Sequence, residues 1–312
     1  MINTQNNKPI LWVSCLVCGG LGNQLFQIFN AISYGIKYNR KIIFQSVIPN
    51  SPRHTYWDTF LKHLFIFTTG FKPNGMTDKM LYGFPVYQEG EGFSHIEIPE
   101  VKMTNVRLYG YYQSYKYFEH YQTNIYNLVK INRFRDSILE KYGNLYLSRE
   151  IPTVSMHFRI GDYVKLADYH PVLSYMYYEH ALSYLIRELG EKLCVLVFCQ
   201  QTDMSIPKGY VDQFYQSKFP NIEFVFVENK MEDWEEMLLM SLADHHIIAN
   251  STFSWWGAYI GKSLHEGADN KIVCYPDMWF GYEYMNNNTN DLFPPSWTKI
   301  DAAMPQYRFT WS

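Results

Sequence analysis

Three short segments hold residues whose types and spacing can do chemistry. The first, His157-Phe158-Arg159-Ile160-Gly161-Asp162-Tyr163, runs from an apolar stretch into a glycine-broken one. If Thr153–Arg159 is a strand, alternation sets His157 and Arg159 on one face. Open parallel sheets bind ligands beyond the carboxyl ends of their strands, and an arginine there can fork onto a pyrophosphate. Asp162 can accept a proton or hold Arg159 in place. The plainer reading is a structural Arg159–Asp162 ion pair with His157 as a core histidine. The second segment, Asn250-Ser251-Thr252-Phe253-Ser254-Trp255-Trp256, is a hydroxyl-rich turn that opens a helix. Hydroxyls and the free amides of a helix start bind phosphate oxygens without positive charge. Its plainer reading is capping by Ser251 or Thr252 with two core tryptophans behind. The third, Gly19-Gly20-Leu21-Gly22-Asn23-Gln24, lies between a strand-like and a helix-like run. Glycines there let the backbone approach a ligand, and the following helix start attracts anions. It lacks the G-x-G-x-x-G fingerprint and the Gly-Lys-Ser/Thr ending of a Walker loop. By itself it reads as a tight turn with Asn23 as N-cap. Ahead of the second segment, Asp233-Trp234-Glu235-Glu236 opens another helix. A carboxylate from it can read the N1–H and N2–H donors of a guanine, although acidic residues at a helix start ordinarily serve the dipole.

What is missing narrows the chemistry. No aspartate stands two residues from another, so the Asp-x-Asp that holds a divalent cation in many sugar-nucleotide transferases is lacking. Charge on a diphosphate must then be met by arginine and helix dipoles, and neither a metal nor a cofactor is expected. No Gly-x-Ser-x-Gly elbow and no His-Glu-x-x-His occurs, which removes the anchors of serine hydrolases and zincins. Cys15 and Cys18 read C-x-x-C without a second pair at zinc spacing and are taken as small core residues. The five cysteines form an odd set beside apolar runs, which points to a reducing, cytoplasmic compartment. The early apolar run Ile10–Cys18 is shorter than the roughly 20 residues of a spanning helix, and Lys8 alone makes a poor signal-peptide start. No integral membrane segment is expected. A formal charge of −3 argues against a surface that coats nucleic acid. The sequons at Asn250 and Asn287 read as chance matches. Aromatic residues make up 18% of the chain, a content that suits stacking on sugar or base faces and equally an aromatic core.

The elements that must position these segments alternate between strand-like and helix-like, which gives an α/β fold class. Leu11–Cys18 reads as a strand, Asn23–Tyr38 as a helix and Lys41–Val47 as a second strand. Between Pro49 and Glu100 the pattern is irregular, with Thr55–Phe67 its most helical part. Val106–Tyr111 reads as a strand and Tyr115–Tyr142 as one or two helices. After a polar junction at Ser148–Pro152 a second series begins. It comprises strand Thr153–Arg159, helix Ser174–Leu189, strands Cys194–Cys199 and Ile222–Val227, helix Glu232–Ala243, strand Ile247–Ala249, helix Ser251–Lys262 and strand Lys271–Tyr275. The break predicts two Rossmann-type domains, 1–150 and 151–312, facing across a cleft; one continuous doubly wound sheet is the alternative.

Together, in this order and spacing, the three segments resemble glycosyltransferase family 11, the α-1,2-fucosyltransferases. The family's Gly-Gly-Leu-Gly-Asn-Gln-x-Phe-Gln stretch stands here as Gly19 to Gln27, its His-x-Arg-x-Gly-Asp-Tyr as His157 to Tyr163, and its Asn-Ser-x-Phe-Ser-Trp-Trp as Asn250 to Trp256. The resemblance implies a GT-B-like architecture, with an N-terminal acceptor-side domain and a C-terminal domain that binds GDP-fucose. It also implies metal-independent transfer with inversion to a galactose-like glycan acceptor. By the same resemblance, Arg159 holds the donor diphosphate, His157 helps seat the nucleotide, and Ser251, Thr252, Phe253 and Ser254 close the phosphate pocket. Gly20, Gly22 and Asn23 approach from the first domain, Asn23 adding a hydrogen bond, and Asp162 orients Arg159. Two places depart from the pattern: Ile160 stands where members commonly carry a second arginine, and Glu236 where many carry Asp. Those departures keep two alternatives open, a non-catalytic nucleotide- or glycan-binding protein of this fold and a transferase using another nucleotide-deoxysugar.

Overall fold

The computed structural model describes residues 10–47, 53–227, 230–261 and 271–303. It divides into two compact units. Unit 1 is Met1–Asn132 together with Asn288–Phe293, and unit 2 is Arg133–Asn287 with Pro294–Ser312.

In unit 1, β1 (Trp12–Cys15) leads into α1 (Leu21–Lys37), followed by β2 (Lys41–Ile42), α2 (Asp78–Tyr82), β3 (Val86–Gln88), β4 (Val106–Tyr109) and α3 (Gln122–Val129). The strands form a parallel sheet of order β2-β1-β4-β3. Helix α1 is buried nearly all round, covering Leu25, Phe26, Ile28, Phe29 and Ile32 completely and taking the polar Gln24, Gln27 and Asn30 in with them. The second strand is shorter than the sequence predicts. After Ile42, among the described residues, Phe44 alone makes a further bridge, to Thr68, and Val47 is exposed. The expected helix over Thr55–Phe67 is a 3-10 segment, Lys62–Phe67. The run from Tyr115 begins as two 3-10 turns before α3, and Lys130 in the left-handed region ends α3.

Unit 2 contains α4 (Ile131–Tyr146, all but its first two residues), β5 (Thr153–His157), α5 (Tyr175–Leu189), β6 (Cys194–Phe198), α6 (Ser205–Ser217), β7 (Glu223–Phe226), α7 (Asp233–Met240), β8 (His245–Ile247), α8 (Thr252–Ile260), β9 (Val273–Pro276) and β10 (Thr298–Ile300). All pairings are parallel, in the order β10-β9-β8-β5-β6-β7. Strands β5 and β6 are buried at every residue, the mark of a parallel sheet covered on both faces. One apolar cluster joins Val154, Met156, Phe158 and Ile160 to Tyr177, Leu182, Val197 and Phe214.

The single continuous sheet is therefore excluded, since two separate sheets form. The dividing point also differs from residue 150. Helix α4 belongs with the second sheet, because Arg135 donates to Ser241 Oγ (3.2 Å) and Lys141 pairs with Glu235 (2.8 Å). Those partners lie about a hundred residues downstream, so no local composition change marks the division. Helix α6, unforeseen in the sequence, carries Pro207 in its first turn, where no intrahelical N–H is needed. Strand β8 begins two residues earlier than predicted, drawn into register by β5 and β9. The predicted end of α8 at Lys262 lies outside the described residues.

Candidate active site

His157 is the last residue of β5, and the chain beyond it turns across the carboxyl edge of the unit 2 sheet. Its ring is buried, with Nδ1 lacking a hydrogen-bond partner, and burial plus the Arg159 charge hold its pKa down at about 3. The imidazole is therefore neutral at physiological pH. Two residues on, the Arg159 guanidinium donates through Nη2 to Asp162 Oδ1 at 2.7 Å and lies 5.1 Å from the Tyr163 ring centroid. Its Nε is buried and has no partner. The ion pair of the plainer reading is thus real, yet it leaves Nε out. Ile160 points the other way, into the apolar core at 4% exposure.

The loop that follows is held from a distance. Gly161 has φ of +21°, and its N–H donates to Asp203 Oδ2 at 2.8 Å. A side chain at this position would put Cβ 2.5 Å from Gln200 Oε1, so only glycine lets the loop lie against the β6 end. Tyr163 donates its hydroxyl to the Asn250 carbonyl at 3.1 Å and stacks on His170, rings 5.0 Å apart.

Asn250 follows β8, the neighbour of β5, and brings the second segment to the same sheet edge. Its Nδ2 donates to the carbonyls of Pro171 (2.9 Å) and Trp279 (3.3 Å), while Oδ1 is buried without a partner. An asparagine so enclosed is no glycosylation acceptor. Ser251 is the N-cap of α8, its Oγ accepting from the Phe253 N–H at 3.3 Å, so the capping reading is correct. Thr252 is the first helical residue, and the Phe253 ring stands 5.6 Å from that of His157. Ser254 is buried, and its hydroxyl is turned back onto the carbonyls of Ala249 and Ser251. Trp255 and Trp256 are core residues, fully buried.

Helix α7 begins with a capping box between Glu232 and Glu235, and Glu235 also holds Lys141. Glu236 has a different role in the fold. Burial, with Asp233 nearby, raises its pKa to about 7. It acts electrostatically on the Cys199 thiol just beyond β6, as do Asp203 and Arg159. Asp203, Gln200 and His170 were not singled out in the sequence. Only the loop spacing after β6 could have hinted at Asp203, because its partner Gly161 is 42 residues away.

In unit 1 the glycine-rich segment forms the β1–α1 turn. Gly19 has φ of +80°, and the N-cap is Gly20, not Asn23, because Asn23 is already the third residue of α1. No side chain caps this helix and its first turn holds no acid. Gly20 is exposed with open space where a Cβ would sit, and Gly22 is buried in the first turn. Asn23 Oδ1 accepts from Gln113 Nε2 at 3.0 Å. The two glutamines of the motif are structural: Gln24 donates to the Gly19 and His54 carbonyls, and Gln27 accepts from the Cys18 N–H.

The model of the family described as Glycosyl transferase family 11 matches residues 88–301. The chain is 29% identical over 204 residues to the O-antigen biosynthesis glycosyltransferase WbnK of Escherichia coli, covering 62% of this chain and 60% of that protein. It is 30% identical over 203 residues to an alpha-1,2-colitosyltransferase of Escherichia coli, covering 63% of each. The matched part thus spans less than two thirds of either relative. Arabidopsis thaliana FUT1 in complex with GDP aligns over 83% of this chain and 70% of its own, at 11% identity and a TM-score of 0.47. Among the described residues no helix is long and apolar enough to cross a membrane.

Proposed function

As this chain belongs to glycosyl transferase family 11, we propose that it transfers a deoxyhexosyl group, L-fucose first, from a GDP-linked donor to a galactose-like hydroxyl. One observation carries the donor half of this reading. Arg159 Nε, His157 Nδ1 and Asn250 Oδ1 are buried polar atoms that find no partner among the described residues, all at the carboxyl edge of one sheet and beside the start of α8. Buried polar atoms cost stability unless something bonds them, and a nucleoside diphosphate supplies acceptors for the guanidinium. Glu236 would accept from the guanine, and Asp162 would orient Arg159.

In the transfer itself a bond forms between the acceptor oxygen and the anomeric carbon as the carbon–oxygen bond to GDP breaks, with inversion. The leaving electron pair settles on the β-phosphate, where Arg159 and the α8 amides would stabilise it without a metal. The acceptor proton passes to solvent as the new bond forms. Similarity to an alpha-1,2-colitosyltransferase favours the α-1,2 link, and it also supports a second reading in which another GDP-linked deoxysugar is the donor.

Thermal unfolding with GDP, GDP-fucose, GDP-mannose, UDP-galactose and dTDP-rhamnose, with and without EDTA, tests the donor. Stabilisation by guanine nucleotides alone, indifferent to EDTA, is the expected result. A shift only with another nucleotide discards the donor. GDP binding with no sugar transferred to any of a panel of galactosides would leave a non-catalytic binding protein.

A further inference from the structure

The carboxyl edge of the unit 1 sheet holds a cavity of about 320 Å³, within the size range of small-ligand sites. Leu16 and Cys18 beyond β1, Glu89 and Phe93 beyond β3, and Tyr109 and Tyr111 at the end of β4 are among the residues that line it. Glu89 is anchored. Its Oε2 accepts from the backbone N–H groups of Tyr111 at 2.7 Å and Tyr112 at 2.9 Å. Among the described residues no hydrogen bond to Oε1 is found. Gly110 makes room for this arrangement, since a Cβ there would collide with the Glu89 side chain. Burial raises the Glu89 pKa against the pull of the two N–H bonds, so the carboxylate is poorly served by solvent. Tyr109 and Tyr111 remain 42% and 41% exposed at the rim.

The combination of one rigidly held acceptor oxygen with exposed aromatic faces suits a ligand that has hydroxyl donors on its edge and C–H groups on its face. We propose that this cavity binds a neutral sugar ring, with Glu89 accepting a hydrogen bond from one of its hydroxyls and Tyr109 and Tyr111 lying against its C–H face. The site belongs to unit 1 by itself. The choice of a galactoside as its ligand rests on the function proposed above.

The test is a titration of the whole chain with lactose, followed by amide NMR signals and by calorimetry, with GDP titrated separately. Lactose should shift the Tyr111 and Tyr112 amide signals. In Glu89→Gln an oxygen still serves both amides, and lactose affinity should fall at least tenfold while GDP affinity stays unchanged. Tyr109→Ala, an exposed change that leaves Glu89 and its amide partners in place, should weaken lactose several-fold. GDP binding without any lactose effect at Tyr111 and Tyr112, or equal lactose affinity in Glu89→Gln, overturns this inference and leaves the donor reading standing. Lactose binding that depends on Glu89 in a chain indifferent to GDP does the reverse.

Discussion

Arg159 is where charge, burial and hydrogen bonding meet. Removing it as Arg159→Ala should abolish the stabilisation by GDP, because a charge-assisted bond to phosphate contributes about 1.5–3 kcal/mol and the guanidinium can make two. Asp162→Asn should weaken GDP far less, as the asparagine still accepts from Nη2; calorimetric titration of the two variants separates binding from positioning. Glu236 carries a pH signature. Its pKa is about 7 in the fold against an ordinary 4.5, so between these values the folded chain keeps a proton that the unfolded chain has lost. The stability from its neutral form is full below the ordinary value and declines as pH rises through about 7. Glu236→Gln should therefore raise the unfolding midpoint relative to the parent at about pH 8 and much less at about pH 4. If Glu236 reads guanine as a carboxylate, GDP affinity should rise with pH through about 7 in the parent and stay flat in the variant, a contrast that titration at several pH values checks. At this scale the sequence already paired Arg159 with Asp162, since the two are three residues apart. Asp203 was invisible there, because its bond to Gly161 spans 42 residues.

Elements matter here through two close approaches. The loop after β5 lies against the β6 end only because Gly161 has no side chain and tolerates a positive φ. Gly161→Ala should cost about 1–3 kcal/mol and lower both the unfolding midpoint and GDP affinity, since the strained loop also aims Arg159. A midpoint unchanged from the parent would refute that role. On α8, Gly257 faces α7, where a Cβ would come 2.9 Å from Met240 Cβ. Gly257→Val overfills that contact and should destabilise by about 1–3 kcal/mol, read by denaturant titration. Periodicity located α5, α7 and α8 to within a few residues because each opens with a recognisable start: Ser174, the Glu232–Glu235 box and Ser251. It misjudged Thr55–Phe67, where Leu61 N–H reaches back five residues to the Tyr56 carbonyl, past an α-helical partner, and the 3-10 segment that follows from Lys62 buries only Leu64.

At the scale of the whole molecule the chain does not run through its units once. Residues Asn288–Phe293 return to unit 1, where Asp291 accepts from the His95 N–H at 2.9 Å, pairs with Lys116 and offers its carbonyl to Ser114 Oγ at 2.6 Å. Asp291→Ala should lower the midpoint by a few degrees and speed hydrogen exchange at the His95 amide, in line with the loss of bonds worth about 1–3 kcal/mol. Unaltered exchange at His95 would show that this return segment contributes nothing. The sequence by itself determined the α/β class, the parallel sheets and the three motif segments, because strand burial, helix periodicity and glycine turns are local properties. It also determined that His157 and Arg159 sit at a strand end. Only the tertiary structure decided that α4 joins the second unit, that Gly20 rather than Asn23 starts α1, and that Ser254 turns inward. It alone tied Asp203 to the loop that follows Arg159 and hollowed a cavity beside Glu89. Each of these depends on contacts between residues far apart in the chain, and such contacts leave no periodic trace in it.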